Sequence, residues 1–439
     1  MHTKSSAQID FTHGSILGRT AWFALPICAG NILQQMYSTV DTLVIGNYCD
    51  AAALAAVATS SQPLEILLCV FLGIGSGISI LVSQMTGTGD RERLQSLVRT
   101  SVFFLYAAAL PLTVIGMLLG PQLLQVMNVP ADAMPYAVQY LRITTIGILG
   151  NMGYNFNAGI LRGLGNSTSS LLLLGISCTT NIILDLVLVA GLNMGISGVA
   201  WATAASMFLA WGFSIPYIRH FCPDLKFPVF PHGFDPCILR RMVRIGLPLG
   251  LNTALYSVGH LFMQTILNGQ GAVFVAGCSV AGKVSGIANI AVTSYSSAAT
   301  VFAGQNIGAG NYLRLRKGAW QIPLFSGVIT LVGGLIVTAC CHPLLALFTS
   351  DAAVLDHAQR YILHMGLRSV QWHYVLHQRN WGDTLSDCGE HLAAVGRSYP
   401  GGLSIGMVWI WQLCDGQHTT ELCHRHGRHA ALFPNTSLA

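Results

Sequence analysis

Two aspartates stand in stretches that are otherwise almost free of charge, and they are the residues best placed to do chemistry. Asp41 lies in Tyr37-Ser38-Thr39-Val40-Asp41-Thr42, and Asp185 lies in Asn181-Ile182-Ile183-Leu184-Asp185-Leu186. Each sits late in an apolar run long enough to span a bilayer, where an ionised carboxylate is expensive. Asn181 precedes Asp185 by four residues and so shares its helix face. Two carboxylates with an amide beside them can share one proton, because burial and like charge both favour the neutral form of one partner. They can equally hold a sodium ion together with hydroxyl and carbonyl oxygens. A structural reading stands beside these: each aspartate caps a broken helix or pairs with a buried cation. Glu65 and Lys283 lie in two further apolar runs. There they either contact a substrate or snorkel and pair across a cleft. Pro26 shares a run with Asp41, and its missing backbone donor permits a bend or hinge.

The elements that must position these residues are membrane spans. Hydrophobic residues make up 52% of the chain and charged residues 9%, whereas soluble domains carry about a quarter charged residues. The formal charge of +5 does not argue for nucleic acid, since membrane proteins hold Lys and Arg in cytoplasmic loops. The twelve cysteines are scattered without metal-type spacing and read as buried reduced thiols. The first residues are polar and the first apolar segment is a full span, so no cleavable signal peptide is expected. About ten segments are long enough to cross a bilayer: 20–45, 54–83, 97–119, 135–160, 170–192, 196–218, 242–267, 273–303, 319–341 and 354–367. Lys and Arg fall in every second loop, which places the N-terminus in the cytoplasm. The Gly-Ile-Gly-Ser-Gly run at Gly73–Gly77 reads as close helix packing, since no strand precedes it and no Gly-Lys-Ser/Thr follows.

The chain also repeats itself at a spacing of about 221 residues. Ile16-Leu17-Gly18-Arg19 through Leu25-Pro26 aligns with Ile238-Leu239-Arg240-Arg241 through Leu247-Pro248. Ser83-Gln84-Met85-Thr86-Gly87-Thr88-Gly89-Asp90 aligns with Gly304-Gln305-Asn306-Ile307-Gly308-Ala309-Gly310-Asn311. A long apolar repeat of this kind marks a transporter built from two similar bundles with the substrate path between them. The expected organisation is a cytoplasmic tail (1–13), a first lobe of six spans (14–218) and a cytoplasmic linker (219–241). A second lobe follows over 242–366, with spans seven to ten, and an anomalous tail over 367–439.

These features together resemble the multidrug and toxic compound extrusion (MATE) transporters, in particular their bacterial DinF-like branch. The resemblance rests on Pro26 and Val40-Asp41, on Leu81-Val82-Ser83-Gln84 with Gly87-Thr88-Gly89-Asp90, on Leu161-Arg162-Gly163-Leu164-Gly165-Asn166, and on Asn181 with Asp185. It covers residues 14–366. It implies an all-α integral membrane protein of the bacterial inner membrane, with twelve helices in two six-helix lobes around a central cleft. It further implies export of small organic, often cationic, compounds against inward flow of H⁺ or Na⁺, with no other cofactor and as a monomer. Carried over residue by residue, Asp41, Asp185 and Asn181 match the ion site of the first lobe, Asn155 and Thr203 match its polar lining, and Pro26 matches the proline where the first helix bends. One departure stands out: sodium-coupled NorM-type members carry a glutamate in the seventh helix, but Leu249–Gln264 contains no acid. A flippase for lipid-linked saccharides shares the architecture; its cavity is expected to be basic, whereas Asp41, Asp185 and Glu65 make this one acidic. No His-Glu-x-x-His, Ser/His/Asp or paired-Cys set occurs before the tail, so an enzyme is not expected.

The tail breaks the pattern. By the repeat, residues 367–439 should form two more apolar spans, yet they hold ten charged residues, seven of the fifteen histidines and four of the eight tryptophans. Right length with wrong chemistry points to a shifted reading frame, which also accounts for the His424-Arg425-His426-Gly427-Arg428-His429 cluster without a metal. A polypeptide ending this way is expected to be unstable and inactive, its second lobe lacking two helices. Sequencing the coding DNA across Tyr361 to Val375 tests this. A one-base shift should restore two apolar spans before the stop; if every alternative frame stays polar, the tail is a genuine product.

Overall fold

In the computed structural model, residues 8–48, 51–126, 134–223, 225–230, 233–268 and 272–346 are described, together with 355–362 apart from 357 and 361. The anomalous tail at 367–439 lies outside the described residues. Every regular element among them is helical. The first half comprises α1 (Ile16–Tyr48), α2 (Ala51–Thr88), α3 (Arg91–Val126), α4 (Met134–Ile146), α5 (Ile148–Gly163), α6 (Ser167–Asp185) and α7 (Gly195–Phe221). The second comprises α8 (Pro236–Asn268), α9 (Ala272–Gly308), α10 (Tyr312–Ala339) and α11 (Cys341–Ala346). Among the described residues, six segments are long and apolar enough to cross a membrane: Ile16–Ile45, Leu68–Thr88, Arg91–Gln122, Ser167–Gly191, Gly195–Phe221 and Tyr312–Ala339.

Three elements depart from the spans read in the sequence. The segment expected at 135–160 is two helices, α4 and α5, parted at Gly147. A Cβ on Gly147 would lie 3.1 Å from Ala204, so the break lets α7 pack against the backbone. The segment at 170–192 changes register at Asp185, where α6 passes into a π-helical turn, Leu186–Gly191. Such a wide turn interrupts the regular hydrogen-bond ladder and is common at functional sites. The linker is shorter than the expected 219–241, because α7 continues to Phe221 and α8 starts at Pro236, a favoured first helical position.

Local chemistry explains where the helices stop. In Leu161-Arg162-Gly163-Leu164-Gly165-Asn166, Gly165 takes φ +90 and its N–H donates to the Arg162 carbonyl at 2.9 Å, closing α5. Asn166 then opens α6 by accepting from the Ser169 N–H at 2.9 Å. After α2, Gly89 turns the chain with φ +71, and Asp90 Oδ1 accepts from the Arg93 N–H at 3.0 Å to cap α3.

The halves meet along α2, which packs on both α8 and α9. Glycines make this approach possible. A Cβ on Gly77 would lie 3.0 Å from Gly246 Cα, and one on Gly250 would lie 2.7 Å from the Val70 carbonyl oxygen. Gly73, Gly77, Gly246 and Gly250 therefore form two facing Gly-x-x-x-Gly ridges. Farther along, a Cβ on Gly87 would come within 2.9 Å of the Gln305 carbonyl carbon, and one on Gly308 within 2.9 Å of the Gln84 carbonyl carbon. These last four residues are repeat equivalents, so the seam carries the pseudo-symmetry of the sequence. Gly246→Ala should cost about 1–3 kcal/mol through forced separation of α2 and α8. Gly333→Ala, at a position with open space beyond its Cα, should be neutral or stabilising. Thermal unfolding of the two variants in detergent compares them directly, and equal melting would overturn the tight-crossing account.

Candidate functional site

The sequence places Tyr37 and Asp41 four residues apart on α1, and Asn181 and Asp185 four residues apart on α6. Residues so spaced stand one above the other on a helix face. Helices α1 and α6 pack against each other, so the two pairs come together inside the first lobe. Asn181 and Asp185 are fully buried, while Asp41 is partly accessible.

The Asn181 amide links the two acids. In the orientation that satisfies both of its ends, its nitrogen donates to Asp185 Oδ2 at 3.1 Å and to Asp41 Oδ1 at 3.0 Å. Its oxygen then accepts from the Thr203 N–H at 3.3 Å, which anchors the amide to α7. The carboxyl groups of Asp41 and Asp185 thus converge on one amide nitrogen, and Tyr37 lies one turn before Asp41 on α1. Asp185 Oδ1 is buried without a donor. So is Thr203 Oγ1, which faces the Tyr37 hydroxyl without closing a bond of ordinary geometry. Buried polar atoms are almost always satisfied, so two orphaned oxygens in one cluster set this place apart from the rest of the lobe. Among the described residues neither carboxylate makes an ion pair with Lys or Arg. Asp185 also stands at the end of α6 as the chain continues helically, so it does not cap a free helix start.

Apolar packing encloses one side of the cluster. Val44, Ile45, Ala56, Leu124, Ala137, Leu141, Val189, Ile196, Val199 and Ala200 form a buried group with Tyr140, and Val40 packs against it. Where this packing keeps water from Asp185, which is fully buried, electrostatic interactions are strengthened.

The other residues singled out in the sequence fall elsewhere. Asn155 donates to the Asn151 carbonyl at 2.9 Å and to Asn151 Oδ1 at 3.0 Å, so its polar contacts run along α5. Pro26 lies inside α1, fifteen residues before Asp41, or about 22 Å along the axis. Glu65 and Lys283 fall on α2 and α9, but their side chains lie outside the described residues. Three residues escaped the sequence reading. Tyr37 was visible by the same four-residue spacing that identified Asn181; Tyr140, on α4, carries no local signal. A third is Asn31, midway along α1, whose Nδ2 donates to Ser294 Oγ on α9 at 3.2 Å and ties the site's helix to the second half.

The comparisons with known proteins agree on one family. The MatE family model matches residues 26–187 and 248–371, one block in each half and offset by the internal repeat. Among curated relatives, the probable multidrug resistance protein YpnP of Bacillus subtilis is 30% identical over 70% of this chain and 68% of its own length. The probable multidrug resistance protein NorM of Thermotoga maritima is 26% identical over 78% of this chain and 75% of its own. Among solved structures, an outward-facing multidrug resistance MATE transporter of the MOP superfamily superposes with a TM-score of 0.76 at 18% identity, covering 93% of this chain and 88% of the other. The matched blocks take in Pro26, Asp41, Asn181 and Asp185 and cover more than half of the residues, and the chain therefore belongs to the MatE family, the multidrug and toxic compound extrusion transporters.

Proposed function

We propose that this protein is a secondary active antiporter of the bacterial inner membrane, with its N-terminus cytoplasmic, that exports small organic, often cationic, compounds as a monomer. Inward movement of H⁺ or Na⁺ drives it through the Asp41–Asp185 pair. The observation that carries this reading is the pair itself: two carboxylates held on the nitrogen of one buried amide and paired with no Lys or Arg among the described residues.

Such a pair cannot hold two negative charges cheaply in an apolar lobe. A proton shared between the acids removes the repulsion and gives Asp185 Oδ1 a partner. A sodium ion does the same electrostatic work, with the Thr203 and Tyr37 hydroxyls as neutral ligands. Either ion lets α1 settle against α6 and α7, and the bend at Pro26 passes that movement to the rest of the helix. The ion must prefer one arrangement of the lobes; each tenfold preference corresponds to about 1.4 kcal/mol of coupling. The acidic pair and the relatives' names both favour drug export over the handling of lipid-linked phosphates.

Ethidium efflux from cells, in buffer with and without Na⁺, tests the proposal on the chain as written and on a frame-restored form. The frame-restored form should export ethidium, and Asp41→Asn should lower the rate at least tenfold while membrane insertion is unchanged. Full efflux by the Asp41→Asn variant would overturn the assignment. Efflux independent of Na⁺ identifies H⁺ as the coupling ion. A second expectation concerns the amide. Asn181→Leu leaves both carboxylates without their shared donor and should lower stability by about 1–3 kcal/mol. Asp185→Asn supplies an amide to Asp41 in place of a second charge, so it should unfold at or above the native temperature. Thermal unfolding curves for the two variants decide the point; an unperturbed Asn181→Leu would show that the amide does not bridge the acids.

A further inference from the structure

The pseudo-symmetry of the seam fails at Arg241. Arg241, at the start of α8, reaches across the lobes and donates to Gln84 Oε1 on α2 at 2.9 Å. The repeat equivalents of these residues are Arg19 and Gln305, and they do not meet in this way. The segment preceding α1 stands between them. Arg19 donates instead to the Asp10 carbonyl oxygen, and Gln305 Oε1 accepts from the Phe11 N–H at 2.9 Å.

This segment, residues 8–14, grips both lobes. On the first-lobe side, the Ile9 N–H donates to the Gly165 carbonyl at 2.9 Å and Gln8 Nε2 donates to the Leu164 carbonyl at 2.8 Å. Gly165 is required here twice over, for its positive φ and because a Cβ would strike the Ile9 carbonyl oxygen. On the second-lobe side, the Phe11 carbonyl accepts from Asn306 Nδ2 at 3.2 Å and from Arg314 Nε at 2.8 Å. Arg314 also donates to the His13 carbonyl at 2.9 Å. The Phe11 ring is fully buried, edge-on to Phe23 of α1 at 5.3 Å and to Phe302 of α9 at 6.0 Å. The Asp10 side chain holds the loop's own shape by accepting from the Thr12 N–H at 2.9 Å and from its hydroxyl at 2.5 Å.

We infer that residues 8–14 are a latch that holds the two lobes together on the cytoplasmic side and sets how often that side opens. The inference rests on the alternating-access reading above, in which the lobes must part on this face to admit substrate. Parting them breaks the bonds to Gln305, Asn306 and Arg314 or those to Leu164 and Gly165, and in either case draws Phe11 out of its pocket. An N-terminal tail in solvent, as expected from the sequence, would carry none of these contacts. A cavity of about 820 Å³ borders the latch, lined by Asp10, Thr12, Gly87, Asp90, Gln305 and Asn311 among others, so the loop has space to swing aside.

The test reads the seam and does not depend on transport. Ser83 is fully buried on α2 at the point where a Cβ on Gly304 of α9 would press against it. Ser83→Cys in the full chain is exposed to a membrane-impermeant maleimide in inside-out vesicles, with the native cysteines' labelling subtracted from vesicles lacking the substitution. Ser206→Cys, fully buried within α7 of the first lobe, reports on loosening of the lobe itself. Phe11→Ala and, separately, Arg314→Ala should each speed labelling at Ser83→Cys at least fivefold and leave Ser206→Cys protected. Phe11→Leu, which keeps an apolar plug, should fall between. Unchanged labelling at Ser83→Cys in both variants overturns the latch. Parallel rises at both reporters would also overturn it, by showing that residues 8–14 support folding and not gating. Neither result touches the Asp41–Asp185 assignment, which the efflux assay tests independently.

Discussion

Everything in the first lobe is arranged around the cost of placing two carboxylates in hydrocarbon. A single buried charge is costly in such a medium, and two of like sign on one amide nitrogen cannot both persist without a cation. The lobe meets this constraint with neutral donors. Asn181 faces both acids, Thr203 holds Asn181 through its backbone, and Tyr37 lies one turn before Asp41. The register change at Asp185 belongs to the same solution: the wide turn begins at the acid and lets the chain continue toward α7. If the function proposed above holds, a lobe that meets its acids only with neutral donors would respond strongly to the arrival of one positive charge.

The rest of the molecule has to transmit that change, and the glycine seam limits how. Helix α2 touches α8 backbone to backbone at Gly73, Gly77, Gly246 and Gly250. Contacts this close tolerate rolling about the crossing and resist separation, since every Cβ that would act as a spacer is missing. The close crossing would act as a pivot, so that any rocking of the lobes shows most at its ends: near Gly87 and Gly308 on one side, and near the Asp41–Asp185 cluster on the other. The latch sits at the Gly87–Gly308 end, where Gln84 and Gln305 each receive a donor from across the seam.

The fold was legible in the sequence because apolar length, alternating basic loops and the internal repeat all report on the bilayer, which acts on every residue alike. The acid site was legible for a related reason: Asp41, Asn181 and Asp185 are conspicuous where charge is otherwise excluded. Tyr140 was not legible, because its place comes from α4 packing against α2, α3 and α7, which no spacing along the chain encodes. The break at Gly147 was hidden as well. Its neighbours are apolar on both sides, so hydropathy runs through it without interruption; only the approach of Ala204 demands the missing side chain. The latch was missed because it is a short segment with no periodicity, and the partners that order it at Leu164, Gly165, Gln305, Asn306 and Arg314 lie more than a hundred residues away in sequence.

Helix α1 is the part that both ends share. The latch runs directly into it; Arg19 near its start is tied back to Asp10, Asn31 is bonded to Ser294 across the seam, and Asp41 lies in its last third. Pro26 falls between the latch and these distal contacts, where the lost backbone bond makes bending cheapest. A stiff rod would couple ion arrival at Asp41 to the latch rigidly, so that neither end could move alone. Under the function proposed above, a hinge at Pro26 would let the distal part of α1 follow an ion at Asp41, and the Asn31–Ser294 bond would tie that movement to α9, the helix that also carries Gln305 and Asn306.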